Sequence, residues 1–262
     1  MQKLRTAVLL LLFTVFCFSA CQFGYGVWQK KQDQQAFAQL RQQLQEVEPE
    51  PVQPSQEPIQ QQQPTAEEVE QQQRLAGYQA LQAVNGDMVG WLRIPDTQLD
   101  YPVMWSSQKE YYLRRNFEKK YSISGTPFLA DNCTVDSENV LIYGHNMTDG
   151  SMFGSLSSYR DEAYWKEHSI IYFDTPTELR EYQVLAVFQA RVLRQDEEGF
   201  RYYEYGGTLD EQSYMQYMQQ VKQEALYDTG IEAQYGEQLL TLSTCSYHTQ
   251  QGRFVVVAKR IS

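Results

Sequence analysis

The chain is poor in the residues that build metal centres and disulfide frameworks: its 262 residues include three histidines and four cysteines. Cys17 and Cys21 fall in a stretch without charge, leaving Cys133 and Cys245 to the remainder. Two thiols make at most one bridge, which excludes a disulfide-stapled scaffold. His145, His168 and His248 have no paired spacing with cysteine that would hold zinc, so neither a metal nor a cofactor is expected. Positive charge is also short, 22 Lys and Arg against 33 Asp and Glu for a net −11. Without a basic face there is nothing to neutralise a phosphate backbone, which excludes nucleic acid as a partner.

Charge of either sign is missing from residues 7–28. At about 1.5 Å per residue that run reaches roughly 33 Å as a helix, the thickness of a bilayer core. Lys3 and Arg5 precede it. The expectation is a cytoplasmic n-region at 1–6, an uncleaved signal-anchor at 7–28 crossing the cell membrane once, and an extracytoplasmic remainder. "CFSAC" at 17–21 offers a competing reading, a lipoprotein signal cleaved and lipidated at Cys21. However, the apolar run continues through Phe23, Tyr25, Val27 and Trp28, past the roughly 7–15 residues usual for a cleaved signal. Both readings attach the protein to the membrane.

Large apolar residues are scarce from 29 to 74, which is rich in Gln, Glu and Pro. No core is expected there. The early "QDQQAFAQLRQQLQ" suits a helix, the Pro-rich middle an extended chain, and the whole reads as a stalk. Residues 75–262 suffice for one domain of mainly β character. "VGWLRIP", "LDYPVMW", "GTPFLA", "NVLIYG", "SIIYFDT", "EYQVLAVFQARVL", "QLLTLSTC" and "RFVVVAKRI" are short β-favouring runs bounded by turn residues. Two helices interrupt them. One covers 151–168; the other, near 209–226, places Tyr214, Met218, Val221 and Ala225 on one face. So many strands with only two helical insertions predict a small closed barrel.

"TLSTCSY" at 241–247 brings Cys245 to the end of an apolar run. A lone cysteine is more often a small buried hydrophobe than a nucleophile, so its neighbours decide. Ser246–Gly252 is a short connection to the next apolar run, and the hairpin places Arg253 beside Cys245. A guanidinium there favours thiolate and can stabilise an oxyanion. Of the possible acid/base partners, His145 follows a strand in the polar loop "HNMTDGS" and ranks first. His248, inside the hairpin connection, ranks a distant second, and His168 is expected to cap a helix.

With these residues assembled, the chain resembles the class B sortases of Gram-positive bacteria. "TLSTC" is similar to their nucleophile motif, "YGHNM" to their histidine loop and "RFVVVAKR" to their arginine strand, and the likeness covers about residues 80–262. It implies a sortase-type β-barrel with a helical insertion before the cysteine strand. It also implies a cysteine transpeptidase that cuts a C-terminal sorting signal on a secreted protein after threonine. Cys245 would form the thioester, His145 would act as acid and base, and Arg253 would position the signal and stabilise the oxyanion. Ser243 and Thr244 would line the signal groove. The acceptor would be a peptidoglycan-precursor amine or a pilin lysine. No sorting signal precedes Ser262, as expected of the anchoring enzyme rather than its substrate. The chain departs from the family in its compact Cys245–Arg253 connection and its long stalk. A Cys/His peptidase releasing to water, and a binding module without chemistry, remain the alternatives.

Overall fold

The computed structural model describes residues 2–46, 65–246 and 249–262. Eight strands form the core: β1 (Met88–Arg93), β2 (Asp100–Met104), β3 (Phe128–Leu129), β4 (Asn139–Gly144), β5 (Ile170–Asp174), β6 (Glu181–Arg191), β7 (Leu239–Cys245) and β8 (Gly252–Arg260). They close into a barrel in the order β1-β2-β3-β4-β7-β8-β6-β5. Pairing is antiparallel except between β2 and β3 and between β4 and β7. Each β-favouring run in the sequence supplies one strand. "GTPFLA" contracts to two residues because Pro127 has no N–H to give a ladder; its carbonyl accepts the Met104 amide at 2.9 Å.

At the N-terminus, α1 (Gln2–Glu46) runs unbroken from the uncharged stretch into the Gln-rich segment, and α2 (Ala66–Val84) starts behind a capping box of Thr65 and Glu68. Residues 47–64, the middle of the expected stalk, lie outside the described residues. Within 29–46 there is core, contrary to expectation. Gln29, Asp33, Phe37 and Leu40 form one buried helical stripe, with Phe37 edge-on to Tyr101 at 5.1 Å. Gly77 of α2 lets the helices approach closely, since a Cβ there would stand 3.0 Å from Leu44 Cδ2.

The single helix expected over 151–168 is two pieces, a 3₁₀ helix at Gly154–Arg160 and α3 (Glu162–Glu167). Asp161 separates them. Its backbone is extended, and its carboxylate accepts the Ala163 amide at 2.9 Å, so it begins a new helix.

Both faces of the sheet are covered, which is why β7 and β8 read as nearly unbroken apolar runs. Side chains alternate along a strand. Thr241 and Ser243 of β7 meet tyrosines outside the barrel, Tyr217 at 2.8 Å and Tyr202 at 2.7 Å. Leu240 and Leu242 therefore point inward. The outer cover comes from the long insertion between β6 and β7, a 3₁₀ helix at Tyr202–Tyr205 and then α4 (Glu211–Glu224). Tyr214 and Val221 are fully buried, as their spacing predicts, and Tyr217 joins them.

Phe188 of β6 is fully buried and packs on Phe200 and Tyr202 of the insertion. Phe188→Ala should cost about 3–5 kcal/mol in denaturant unfolding, the usual range for emptying an aromatic site.

Candidate active site

The site is assembled by register. β4 and β7 run parallel and in step from Asn139 opposite Leu239 to Gly144 opposite Thr244. The next residues, His145 and Cys245, therefore leave the sheet side by side. β8 runs antiparallel to β7 and sets Arg253 directly opposite Cys245. Three residues far apart in sequence thus meet at one end of the barrel, on three adjacent strands. Two bonds tie the histidine loop to the cysteine strand: Asn146 Nδ2 donates to Cys245 O at 2.7 Å, and Thr244 Oγ1 donates to Gly144 O at 2.7 Å.

His145 Nε2 lies 2.8 Å from the carbonyl oxygen of Leu113. A carbonyl only accepts, so Nε2 carries the hydrogen and the lone pair of the neutral ring sits on Nδ1. Burial holds the imidazole pKa below its ordinary value near 6.5; the Leu113 bond opposes this and the nearby Arg114 guanidinium adds to it. The histidine therefore rests neutral at pH 7, ready to accept a proton.

Cys245 is half-buried, whereas Cys133 is 3 % exposed and receives the Leu141 amide at 3.5 Å, with burial pushing its thiol pKa up. Exposure thus separates the reactive candidate from the structural thiol. Arg253 is also half-buried, and its Nη1 donates to Gly252 O at 3.0 Å, folding the guanidinium back on its own hairpin. It makes no ion pair with a carboxylate among the described residues, which leaves its charge available to the site.

Ser243 and Thr244, expected in the groove, are 1 % and 2 % exposed, and their hydroxyls are taken by Tyr202 and Gly144. Both side chains hold the strand ends in place. His168 closes α3, with its ring against Tyr164 at 4.2 Å. His248 lies outside the described residues. Two tyrosines escaped sequence reading. Tyr143 shares the Cys245 face of the sheet, being opposite Ser243. Tyr202 feels both Arg253 and Cys245, and its pKa is pushed up to about 12, chiefly by burial. Its hydroxyl therefore stays protonated. Among the described residues no group of three or more His, Cys, Asp or Glu could hold a metal ion. A cavity of about 900 Å³ between α4 and residues 226–233 reaches β6 at Leu185. That is five residues, roughly 16 Å, from Ala190, the β6 partner of Arg253, so it is separate from the site.

In an NMR titration, His145 should ionise below 6.5. Its folded pKa is depressed, so its stabilising contribution is complete above the unfolded value and is lost as pH falls through the folded one. A Cβ on Gly125 (φ +61°) would stand 2.6 Å from Leu113 O. Gly125→Ala should therefore disturb the acceptor and move the His145 titration lower still.

Comparisons with known proteins agree with this geometry. Residues 92–261 match the Sortase domain family. The chain is 33 % identical to the sortase B of Listeria monocytogenes over 188 residues, covering 70 % of this chain and 73 % of that protein. The crystal structure of B. anthracis sortase B in complex with AAEK1 superposes with a TM-score of 0.69 at 27 % identity, covering 90 % of this chain and 99 % of that one. The Staphylococcus aureus sortase B–substrate complex superposes with a TM-score of 0.70 at 24 % identity over the same shares. The chain belongs to the sortase family of cysteine transpeptidases, in its class B branch.

Proposed function

We propose that the protein anchors secreted proteins to the cell wall by cutting a C-terminal sorting signal after threonine and transferring the new acyl end to a peptidoglycan amine. The observation that carries this reading is the alignment of Cys245 between His145 and Arg253 on three adjacent strands. Cys245 Sγ attacks the threonine carbonyl. Arg253 offsets the charge that develops on the oxygen. The peptide C–N bond breaks as His145 passes a proton to the leaving amine. The thioester is then attacked by the incoming amine, which gives its proton back to His145 and releases the thiol. A chain held by α1 in the membrane, with residues 1–6 in the cytoplasm and the barrel outside, meets exported substrates as they emerge. In support, α1 is the one helix among the described residues long and apolar enough to span a bilayer. The S. aureus sortase B has also been crystallised with a substrate, and a sortase B with triglycine.

The full chain in nanodiscs, given a panel of sorting-signal peptides with and without triglycine or a diaminopimelate-type amine, should yield an acyl adduct on Cys245 and an amine-dependent ligated product by mass spectrometry. Cys245→Ala should lower kcat/KM by at least about 10³-fold, His145→Ala by about 10²–10⁴-fold, and Arg253→Ala by about 10²–10³-fold. Arg253→Lys should recover little, since an ammonium cannot reproduce the planar fork. Unchanged cleavage in Cys245→Ala would remove the catalytic reading. Release to water at saturating amine would make the protein a peptidase instead.

A further inference from the structure

The surroundings of α1 change within one residue. Phe23 and Trp28 are bare, at 77 % and 55 % exposed, and the next residue, Gln29, is buried at 7 %. What covers it is the segment carrying Leu113. Gln29 Nε2 donates to Tyr121 O at 3.0 Å, and Asp33 Oδ2 accepts from Ser122 Oγ at 2.6 Å. Ile123 Cδ1 lies 4.0 Å from where a Cβ on Gly26 would stand. The segment thus reaches three residues up α1 from Gln29, about 4.5 Å, alongside the uncharged run itself.

Its composition suits that level. From 109 to 121, Lys109, Arg114, Arg115, Lys119 and Lys120 oppose Glu110 and Glu118, a local +3 in a chain of net −11. Lys119 pairs with Asp87 and Lys120 with Glu118, while Lys109, Arg114 and Arg115 make no carboxylate ion pair among the described residues. Tyr121 is 60 % exposed, at the same height on α1 as Tyr25 and Trp28. Exposed aromatics beside clustered cations are the make-up of a surface that meets anionic headgroups.

We propose that the segment 109–123, clamped to α1 by Gln29 and Asp33, docks on anionic phospholipid headgroups of the membrane that α1 crosses. This rests on reading 7–28 as a span. It brings the end of the barrel that holds His145 down to the lipid surface.

The test uses the full chain in nanodiscs of phosphatidylcholine alone or with phosphatidylglycerol, with the four native cysteines changed to serine. A fluorophore is attached at Tyr121→Cys or, as a control before the start of β7, at Gln234→Cys, and headgroup-labelled lipid serves as the quencher. Quenching at 121 but not 234, weaker without phosphatidylglycerol and weaker in molar salt, is the expected result. Hydrogen–deuterium exchange on the unsubstituted chain should likewise show residues 109–123 slowed by phosphatidylglycerol, independently of the substitutions. If the protein resists carbonate extraction but neither measurement responds, or responds equally in both lipids, the docking proposal is overturned and the span stands. If carbonate extracts the protein, the span reading fails and takes the proposal with it.

Discussion

Main-chain hydrogen bonding between β4, β7 and β8 determines where the chemistry sits. Cys245 faces Arg253 because two antiparallel strands are paired at that point, and it stands beside His145 because a parallel pair is in step down to Gly144 and Thr244. Sliding any of these strands by one residue would turn every side chain on it to the other face. The buried runs Val140–Ile142, Leu239–Leu242 and Phe254–Ala258 oppose such a slip, since each would exchange its inner and outer packing at once. Hydrophobic burial along the barrel therefore fixes the alignment of three polar groups at its rim.

Around that alignment, side chains that touch no substrate set the state of those that do. The Leu113 carbonyl orients the imidazole. Gly125 allows the chain to pass close beneath it. Asn146 and Thr244 bind the two loops to one another. Tyr202 closes over Ser243. Burial then keeps the ring neutral while Arg253 keeps a charge free of carboxylate partners, so base and electrophilic aid coexist within a few residues.

Much of this was legible in the sequence. Alternating and continuous apolar runs located all eight strands, and the cysteine, histidine and arginine stood out because each ends or begins such a run. What escaped notice had no side-chain signature. The partner of His145 is a backbone carbonyl, identical in every residue type. Tyr143 and Tyr202 were lost among 19 tyrosines. Ser243 and Thr244 looked like groove residues by proximity alone, and the strand's alternation and the sheet's cover turned their hydroxyls into structural bonds. The buried stripe of α1 was present as spacings of four, four and three, but glutamines between its members hid it, and the low apolar content of the segment as a whole argued against a core. Asp161 split a helix that periodicity alone would have continued.

The unbroken passage of α1 from bare apolar surface to docked stripe makes the helix behave as a keyed shaft rather than a tether. A flexible spacer would tolerate any change in its length, whereas on a helix each inserted or deleted residue rotates the chain beyond it by about 100° and shifts it by about 1.5 Å. One residue gained between Trp28 and Gln29 would therefore swing the barrel a quarter-turn or more about the helix axis. The azimuth of the Cys245 opening is thus written into the helical phase of the N-terminal segment, far from any residue that touches a peptide.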